Sequence, residues 1–466
     1  MKGKRGLVLS LCGLAVGIVA LPALILGTNA IFQRTKLEGY RTELAAKGEK
    51  LRIAQLAPPP HVSGTSEGEE LIKIADSVSR QLESLKIKPV SSAILDKSGQ
   101  AEIAHLRATA RRAGVETSWE NFEKEITPFR PYFAELRVAA QLEELHLRGE
   151  YSQETAMPMK YLVPTLRAGQ QLAAENILLL REGKISTAVE NVGAMLKLAA
   201  MLSEVPTMIS QMVSTTITGL AFFSTWEILQ CEPSRPDLQG LFSAWERLRP
   251  GENLAATLRV ERAWFHTELN AKNPQPDVEN SPFPKPSPQA IFLWKLCCRD
   301  KDERQTLEDY QSIIEACSAG KPWADILTQS NALIAAARDS GLSRLQGSQT
   351  ESIVFGRIRM FPESISLQTL SLTAIAIRLY QRDHGNSLPD NLGVLVPNYL
   401  KQVPLDPMDG QPLRYHVMSS NFKLYAIGAD YRDELGDTSS RDGKLLGIVD
   451  RRDIVWPQAV SAAPAK

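Results

Sequence analysis

The sequence predicts a mainly α-helical protein with a small antiparallel sheet near its C-terminus. Three observations predict this fold class. Residues 6–27 form an uncharged apolar run, helical periodicity extends from 69 to 269 and returns from 289 to 341, and residues 413–427 carry strand-like segments. We therefore expect an N-terminal transmembrane helix, an irregular α-helical bundle of αα-hairpins, and a small C-terminal α+β domain.

The composition indicates a globular protein of several domains and argues against a nucleic-acid partner. A chain of 466 residues is too long for one compact core and predicts several domains. It carries 53 basic and 53 acidic residues, so no overall field attracts a polyanion, and we expect no nucleic-acid partner. Hydrophobic residues make up 43% and charged residues 23%, which is typical of a folded globular protein.

The N-terminal run predicts a membrane anchor. Residues 6–27 reach about 33 Å as a helix, enough to cross a hydrocarbon core of about 30 Å. Lys2, Lys4 and Arg5 precede the run, and positive charge stays on the cytoplasmic side. We expect contact with the membrane through residues 6–27, a single pass through the inner (cytoplasmic) membrane, and export of the chain after about Ala30 to the periplasm.

A cleaved signal peptide is the alternative to this signal anchor. Thr28, Asn29 and Ala30 offer small residues where a signal peptidase cuts. The run is longer than the about 7–15 apolar residues of a signal peptide, which favours retention. Both possibilities stay open at this point.

A second uncharged stretch, from Val205 to Trp226, is rich in Ser and Thr and is not expected to cross a membrane. Its apolar residues recur every three to four positions, which predicts a helix buried on one face. Before it, apolar stripes at Thr165–Arg181 and Ile185–Leu202 are separated only by residues 182–184, which predicts an αα-hairpin.

Prolines mark the expected linkers. Three stand at 58–60, and several more lie between Asn273 and Pro288. These signals divide the chain into a cytoplasmic tip with anchor, a juxtamembrane helix with linker, a helical bundle, a Pro-rich linker, further bundle helices, an α+β domain and a flexible tail. The predicted boundaries are 1–30, 31–62, 63–270, 271–288, 289–345, 364–457 and 458–466.

The C-terminal fifth carries several motifs in a fixed order after an apolar helix from Leu367 to Tyr380. They are Gln381–Gly385, Leu388–Asp390, Leu395–Leu400, Val403–Pro407, Gly410–Tyr415, Phe422–Asp430 and Arg452–Trp456. In this order they resemble the head of a major pseudopilin, the type II secretion system protein G family. The resemblance implies a helix ending in Tyr-x-x-Asp-x-Gly, an Asp-Pro turn and a short antiparallel sheet.

The residues agree with that implication. Gly385 suits the left-handed conformation that closes a helix, and Asp409-Gly410 is a turn signal. We expect Leu413–Val417 and Phe422–Ile427 to pair. At the N-terminus, Gly6 is followed by Leu7 and Leu11, where pseudopilins have Phe or Met and then Glu, so assembly into a pseudopilus is not expected.

The segment Arg41–Glu49 is similar to a stretch in uncharacterised single-anchor helical proteins of planctomycete- and verrucomicrobia-type bacteria. This resemblance covers the N-terminal two-thirds and implies no activity. Together the features favour an exported, membrane-anchored scaffold or interaction protein of the bacterial envelope, with protein partners and without catalysis. The alternative is an exported hydrolase whose site is assembled from the helical domain.

The pseudopilin resemblance also implies a calcium ion near the last strand. Asp430 and Asp453 match the first and last aspartates of the family's calcium loop. Calcium takes about six to eight oxygen ligands, and further acids lie between the two. The alternative is a solvated loop in which neighbouring arginines pair with these acids.

Other chemical motifs have structural interpretations. Gly64–Gly68 fits Gly-x-Ser-x-Gly, but prolines precede it, and Ser66 with Glu69 is typical of a helix capping box. The six histidines form no zinc pattern, and His384 is expected at a helix end.

Two side-chain groups leave alternatives open. Glu261, Arg262 and His266 suit an acid-base group or ordinary ion pairing at helical spacing. In an exported domain the thiols Cys231, Cys297, Cys298 and Cys317 lie in an oxidising compartment. A disulfide from Cys297 or Cys298 to Cys317 is one expectation, and free buried thiols are the other.

Overall fold

The computed structural model describes residues 27–57, 65–84, 119–141, 160–270, 287–418, 421–428, 430–436 and 453–457. These residues are mostly helical, with a three-stranded antiparallel sheet near the C-terminus, which confirms the coarse fold class. Residues 1–26 lie outside the described residues, so the predicted transmembrane helix remains a prediction.

The described helices follow one another with short connections in most of the bundle. They are α1 (27–46), α2 (Thr65–Ser84), α3 (Trp119–Ile126), α4 (Arg130–Ala140), α5 (Leu162–Arg181), α6 (Ile185–Ser203), α7 (Met208–Leu229), α8 (Arg235–Arg247), α9 (Leu254–Asn270), α10 (Pro288–Cys297), α11 (Arg299–Ser318), α12 (Trp323–Asp339), α13 (Gly347–Val354) and α14 (Met360–Asp383). The 3-10 turns are Ile53–Leu56, Thr127–Phe129, Gly341–Arg344, Phe355–Arg357 and Leu392–Leu395.

The predicted αα-hairpin is confirmed in α5 and α6. Gly183 takes a positive φ of 73°, which a residue with a Cβ rarely adopts. Around it, the backbone N–H of Glu182 donates to Leu178 O at 2.9 Å, and that of Lys184 donates to Leu179 O at 2.8 Å. These bonds satisfy the last carbonyls of α5 and turn the chain back into α6.

Helix α7 covers most of the stretch that the sequence predicts to be buried on one face. The first half of the helix confirms this, since Ile209 and Thr216 are exposed while Ser210 and Ile217 are buried. From Leu220 to Leu229 every residue is buried, because the helix packs against α5, α6 and α14. In the described part of the chain, the test of length and hydropathy for a membrane span picks out Ile185–Ser203, with 61% of its most apolar window buried in the bundle.

The sheet has the order β1 (Arg414–Val417), β2 (Phe422–Ile427) and β3 (Asp453–Val455), and both pairs are antiparallel. The predicted pairing of the first two strands is confirmed, with Tyr415 opposite Leu424. Gly410 at the predicted turn and Gly385 at the end of α14 both have positive φ.

Helix α14 begins at Met360, earlier than the predicted start at Leu367, because it packs against the bundle as well as against the sheet. It packs on α7 and α8 along one side and on β2 and β3 along another. The rings of Phe222 in α7 and Trp456 after β3 meet edge to face at 4.9 Å. Bundle and C-terminal domain therefore share one hydrophobic core.

The expected disulfide to Cys317 does not form, and Cys231, Cys297, Cys298 and Cys317 all lie outside any disulfide. Cys298 precedes α11 and Cys317 lies near its other end. The helix separates them by about 28 Å, whereas a disulfide needs Cα atoms within about 7 Å. The alternative of buried thiols without a disulfide is met in part, because the four side chains are half-buried.

Of the two residues expected at helix ends, Ser66 does not take that position and His384 does. Helix α2 begins at Thr65, so Ser66 lies in its first turn and does not precede it as a cap would. His384 follows α14 as expected, with Nδ1 2.9 Å from Tyr380 O and its ring stacked on Tyr380.

Replacing Trp456 with Ala tests the shared core. Trp456 is buried against Phe222, so its loss should lower the free energy of unfolding by about 3–5 kcal/mol. Urea denaturation of the full chain followed by circular dichroism measures the change. Val394→Ala, at an exposed site of the same domain, serves as the control and should change it by less than about 0.5 kcal/mol. An unchanged helical transition in the Trp456→Ala variant would show that bundle and sheet unfold independently.

Candidate functional site

Two adjacent carboxylates at the start of α11, Asp302 and Glu303, form the most connected polar site among the described residues; we call them the acid pair. Both side chains are fully buried. The position of Asp302 in the first turn is favourable, because the unpaired N–H groups of a helix N-terminus stabilise negative charge, and Glu303 follows it directly. Buried carboxylates also need hydrogen-bond donors, and the donors to the acid pair come from five different segments.

Glu303 binds α1 and α9 through one oxygen. Its Oε1 accepts hydrogen bonds from the Arg41 guanidinium and, at 3.3 Å, from the Asn270 side-chain amide, and His266 Nδ1 lies 2.7 Å away. Burial alone would raise the pKa of Glu303, but the bonds to His266 and Arg41 hold this pKa below its ordinary value. The carboxylate is therefore charged and holds two helices together.

Asp302 binds the segments that flank α11 on the other side. Its carboxylate accepts from Trp294 Nε1 at 2.9 Å and from the backbone N–H groups of Gln346 at 3.0 Å and Gly347 at 3.2 Å. Arg344 Nε lies 3.4 Å away. Burial raises the pKa of Asp302, which these partners oppose.

Gly347 shows how closely this contact is packed. A Cβ at this position would collide with Oγ1 of Thr306 and Oδ1 of Asp302. Since φ is not positive there, the requirement is steric and not conformational. Any larger residue would have to move the α13 backbone away from the acid pair.

A second buried contact fixes the end of α1. Glu49 accepts from Arg262 Nη2 at 2.6 Å and lies 3.2 Å from Arg259 Nε, both on α9. Burial opposes ionisation of Glu49, but the bonds to the two arginines lower its pKa. Lys47 also reaches Glu315 of α11 at 3.3 Å, on the surface. Since Arg41 meets Glu303 and Lys47 meets Glu315, α1 runs parallel to α11.

The structure separates the three residues that the sequence suggests as an acid-base group. Glu261 Oε1 accepts from Met208 N at 2.7 Å and caps α7, Arg262 binds Glu49, and His266 binds Glu303. Burial raises the pKa of Glu261 to about 7. The ion pairing expected along one face of this helix is not what the structure shows either, because each of the three residues binds a partner on another segment.

The predicted calcium residues have different surroundings. Asp430 is exposed, and its Oδ1 accepts from Arg432 N at 3.3 Å. Asp453 is buried; its Oδ2 accepts from Gly436 N at 2.8 Å, and its Oδ1 has no hydrogen-bond partner among the described residues. Burial raises the pKa of Asp453 to about 6; the hydrogen bond from Gly436 N opposes this shift, and the charge of Glu434 adds to it.

The fit to calcium is therefore carried by Asp453, whose buried, unpartnered oxygen is suited to a cation. The part of the chain that the structure describes contains no group of three or more metal-ligating side chains, and residues 437–452 lie outside it. Outside this loop, Arg414 of β1 contacts Asp406 at 2.6 Å and Asp433 at 3.3 Å.

A cavity of about 230 Å³ lies between α7, α14 and the sheet, near Trp226, Phe422 and Trp456. The one arginine in its lining, Arg378, donates from Nη2 to Leu229 O at 2.7 Å and from Nε at 3.2 Å. Its guanidinium thus closes the C-terminus of α7, which is a structural role.

Sequence reasoning did not identify the acid pair. Its only local signal is the charged run Arg299–Arg304, which looks like a solvated helix start. The partners lie far away in the sequence, so local spacing does not reveal them. Comparison with protein-family models, curated proteins and solved structures finds no match for this chain.

Replacing Glu303 with Gln tests the acid pair as a clamp. Loss of this buried charge removes the buried ionic partner of Arg41, which keeps its exposed contact with Glu38, and should lower the free energy of unfolding by about 3 kcal/mol at neutral pH. The Glu303 pKa is lowered in the folded state, so its contribution is present above the unfolded value of about 4.3 and is lost as pH falls through the folded pKa. The difference between the two proteins should therefore shrink in acid.

Urea denaturation across a pH series measures both effects. The matched control is Glu315→Gln on the same helix, an exposed partner of Lys47 that should change stability by less than about 1 kcal/mol. Equal effects of the two substitutions, or a Glu303 effect that does not depend on pH, would contradict a clamping role.

Proposed function

We propose that this chain is a membrane-anchored scaffold or interaction protein of the bacterial envelope, with its helical bundle and pseudopilin-like head exported. The observation that carries the proposal is the attachment of α1 to the bundle through Glu303 and Glu49. The described part of α1 begins at residue 27, where the uncharged segment 6–27 ends. An anchor in that segment would continue into a helix clamped at two buried acids.

Such a connection differs from a flexible tether. Leu37 and Leu44 of α1 are buried in an apolar cluster with Leu307 of α11, in addition to the ionic contacts. A clamped helix transmits the orientation of the anchor to the bundle. This property suits a scaffold, which must present a surface at a defined height and angle.

The head lies at the opposite end of α11 from the acid pair. Ile427 of β2 and Met408 share an apolar cluster with Ile313 and Ile314 of α11. From Glu303 to Ile313 the helix rises about 15 Å, which separates the contact between Arg41 and Glu303 from this cluster. The head is therefore the part that an anchored protein of this shape presents away from the membrane.

The pseudopilin resemblance supports an interaction role for the head. It rests on the ordered motifs between Gln381 and Trp456, and the helix with a three-stranded antiparallel sheet is the arrangement that the resemblance implies. Pseudopilin heads belong to an envelope assembly and not to an enzyme. We accordingly propose protein partners and no catalytic site.

A reporter fusion tests the topology. Alkaline phosphatase fused after Pro60 should be active only if the chain beyond the anchor is exported, because Lys2, Lys4 and Arg5 stay in the cytoplasm. Cytoplasmic activity would refute the orientation, and release of the protein from membranes without detergent would indicate a cleaved signal. Crosslinking in native membranes followed by affinity capture of the full chain then identifies partners; recovery of the uncrosslinked chain alone would contradict an interaction role.

We also propose that the head holds calcium through Asp430 and Asp453, with further oxygen ligands from the intervening loop. Support comes from the unpartnered, buried Oδ1 of Asp453, which has acidic neighbours in Asp433 and Glu434. Calcium would neutralise this concentration of negative charge. This site would be a structural support for the head.

Melting of the full chain in calcium and in chelator measures calcium binding. Calcium at saturating concentration should raise Tm by about 2 °C or more, and Asp430→Ala or Asp453→Ala should remove the increase. Asp339→Ala, an exposed acid at the end of α12, is the control and should keep it. Identical melting curves of the unaltered chain in both conditions would rule out the site.

A further inference from the structure

Helix α10 exposes an apolar face for which the described part of the chain provides no cover. Phe292 is 66%, Leu293 47% and Leu296 51% exposed. They lie at helical positions i, i+1 and i+4, so they form one stripe. The opposite side carries Trp294, which is buried against Phe265 and Leu269 of α9. The helix is thus fixed to the bundle by one face and presents an apolar face outward.

This stripe lies at the end of the molecule from which the N-terminal segment departs. Trp294 donates to Asp302, which fixes α10 to the start of α11. Helix α1 runs parallel to α11 and contacts Glu303 through Arg41, so its residues before Arg41 extend toward the same end. From Arg41 back to Gly27 the helix rises about 21 Å.

The exposed part of α1 has the same character. Ile31 is 69% and Phe32 53% exposed. Basic groups accompany the apolar ones: Arg34, Lys36 and, on α10, Lys295 are exposed, and Lys36 Nζ lies 4.4 Å from the centre of the Phe32 ring. Apolar and basic side chains on one short surface are typical of helices that lie in a lipid interface.

We propose that α10 is an interfacial helix, whose Phe292, Leu293 and Leu296 insert into the bilayer that holds the N-terminal anchor. This inference rests on the proposed anchoring of residues 6–27. A lipid surface is the occupant for two reasons: α10 and the N-terminal part of α1 lie toward the same end of α11, and three side chains on a ten-residue helix cover much less than the roughly 1,000 Å² of a specific protein interface.

This contact would give the protein a second attachment to the membrane. With one spanning helix alone, the bundle is free to rotate about the anchor. A second contact through α10, fixed to α11 by Trp294 and Asp302, sets the tilt of α11 and so the position of the head.

A fluorophore at Leu293 tests the contact. The full chain is prepared with its five native cysteines replaced by serine and with Leu293→Cys labelled by an environment-sensitive nitrobenzoxadiazole group. It is reconstituted into vesicles of phosphatidylethanolamine and phosphatidylglycerol, with or without brominated lipid. We expect a blue-shifted emission that brominated lipid quenches about twofold. Leu405→Cys is the matched control, since Leu405 is 48% exposed in the head; its emission should not be quenched.

The possible results separate this inference from the proposed anchor. If the chain floats with the vesicles but the label at Leu293 is not quenched, the anchor stands and the interfacial helix is refuted. If the label shifts to the blue with rising protein concentration and without quenching, a second copy covers the face and the inference is also refuted. If the chain does not float with vesicles, both the anchor and the interfacial helix fail.

Discussion

The arrangement of the segments around α11 depends on the burial of two neighbouring carboxylates near the N-terminus of this helix. Asp302 and Glu303 are both fully buried, and a buried carboxylate is tolerated only with enough donors. The donors come from α1, α9, α10 and the segment around Gly347. These segments must assemble together, because removal of any one leaves charge uncompensated in the interior.

The two acids bind different segments of the chain. Glu303 faces α1 and α9 and remains charged, since the bonds that it accepts outweigh the cost of burial. Asp302 faces α10 and the turn before α13, and backbone N–H groups supply much of its compensation. One acid thus holds the helix that follows the proposed anchor, and the other holds the helix proposed to lie on the membrane. The orientation of the whole protein then depends on one turn of helix.

The features that depend on residues close together in the sequence were predicted correctly from it. The hairpin around Gly183, the pairing of β1 with β2 and the closure of α14 at Gly385 all follow from short-range patterns. The features that the sequence did not predict depend on distant contacts. Arg41 and Glu303 are separated by most of the bundle, and no periodicity links them. The burial of α7 on all sides from Leu220 to Leu229 likewise follows from helices that come together only in three dimensions.

The packing of α14 bears on the proposed likeness of the C-terminal domain to a pseudopilin head. In that family the anchor and the head helix form one continuous rod, whereas α14 follows a 3-10 turn at Phe355–Arg357 and has no direct continuation into an anchor. Gln368 of α14 donates to the carbonyls of Trp245 and Leu248 at 2.7 and 2.8 Å, and Arg378 closes the end of α7. The side of α14 away from the sheet is therefore occupied by the bundle. Because this side is buried inside one chain, it is not available for packing against other copies, and the proposed partners would have to bind the sheet and its loops.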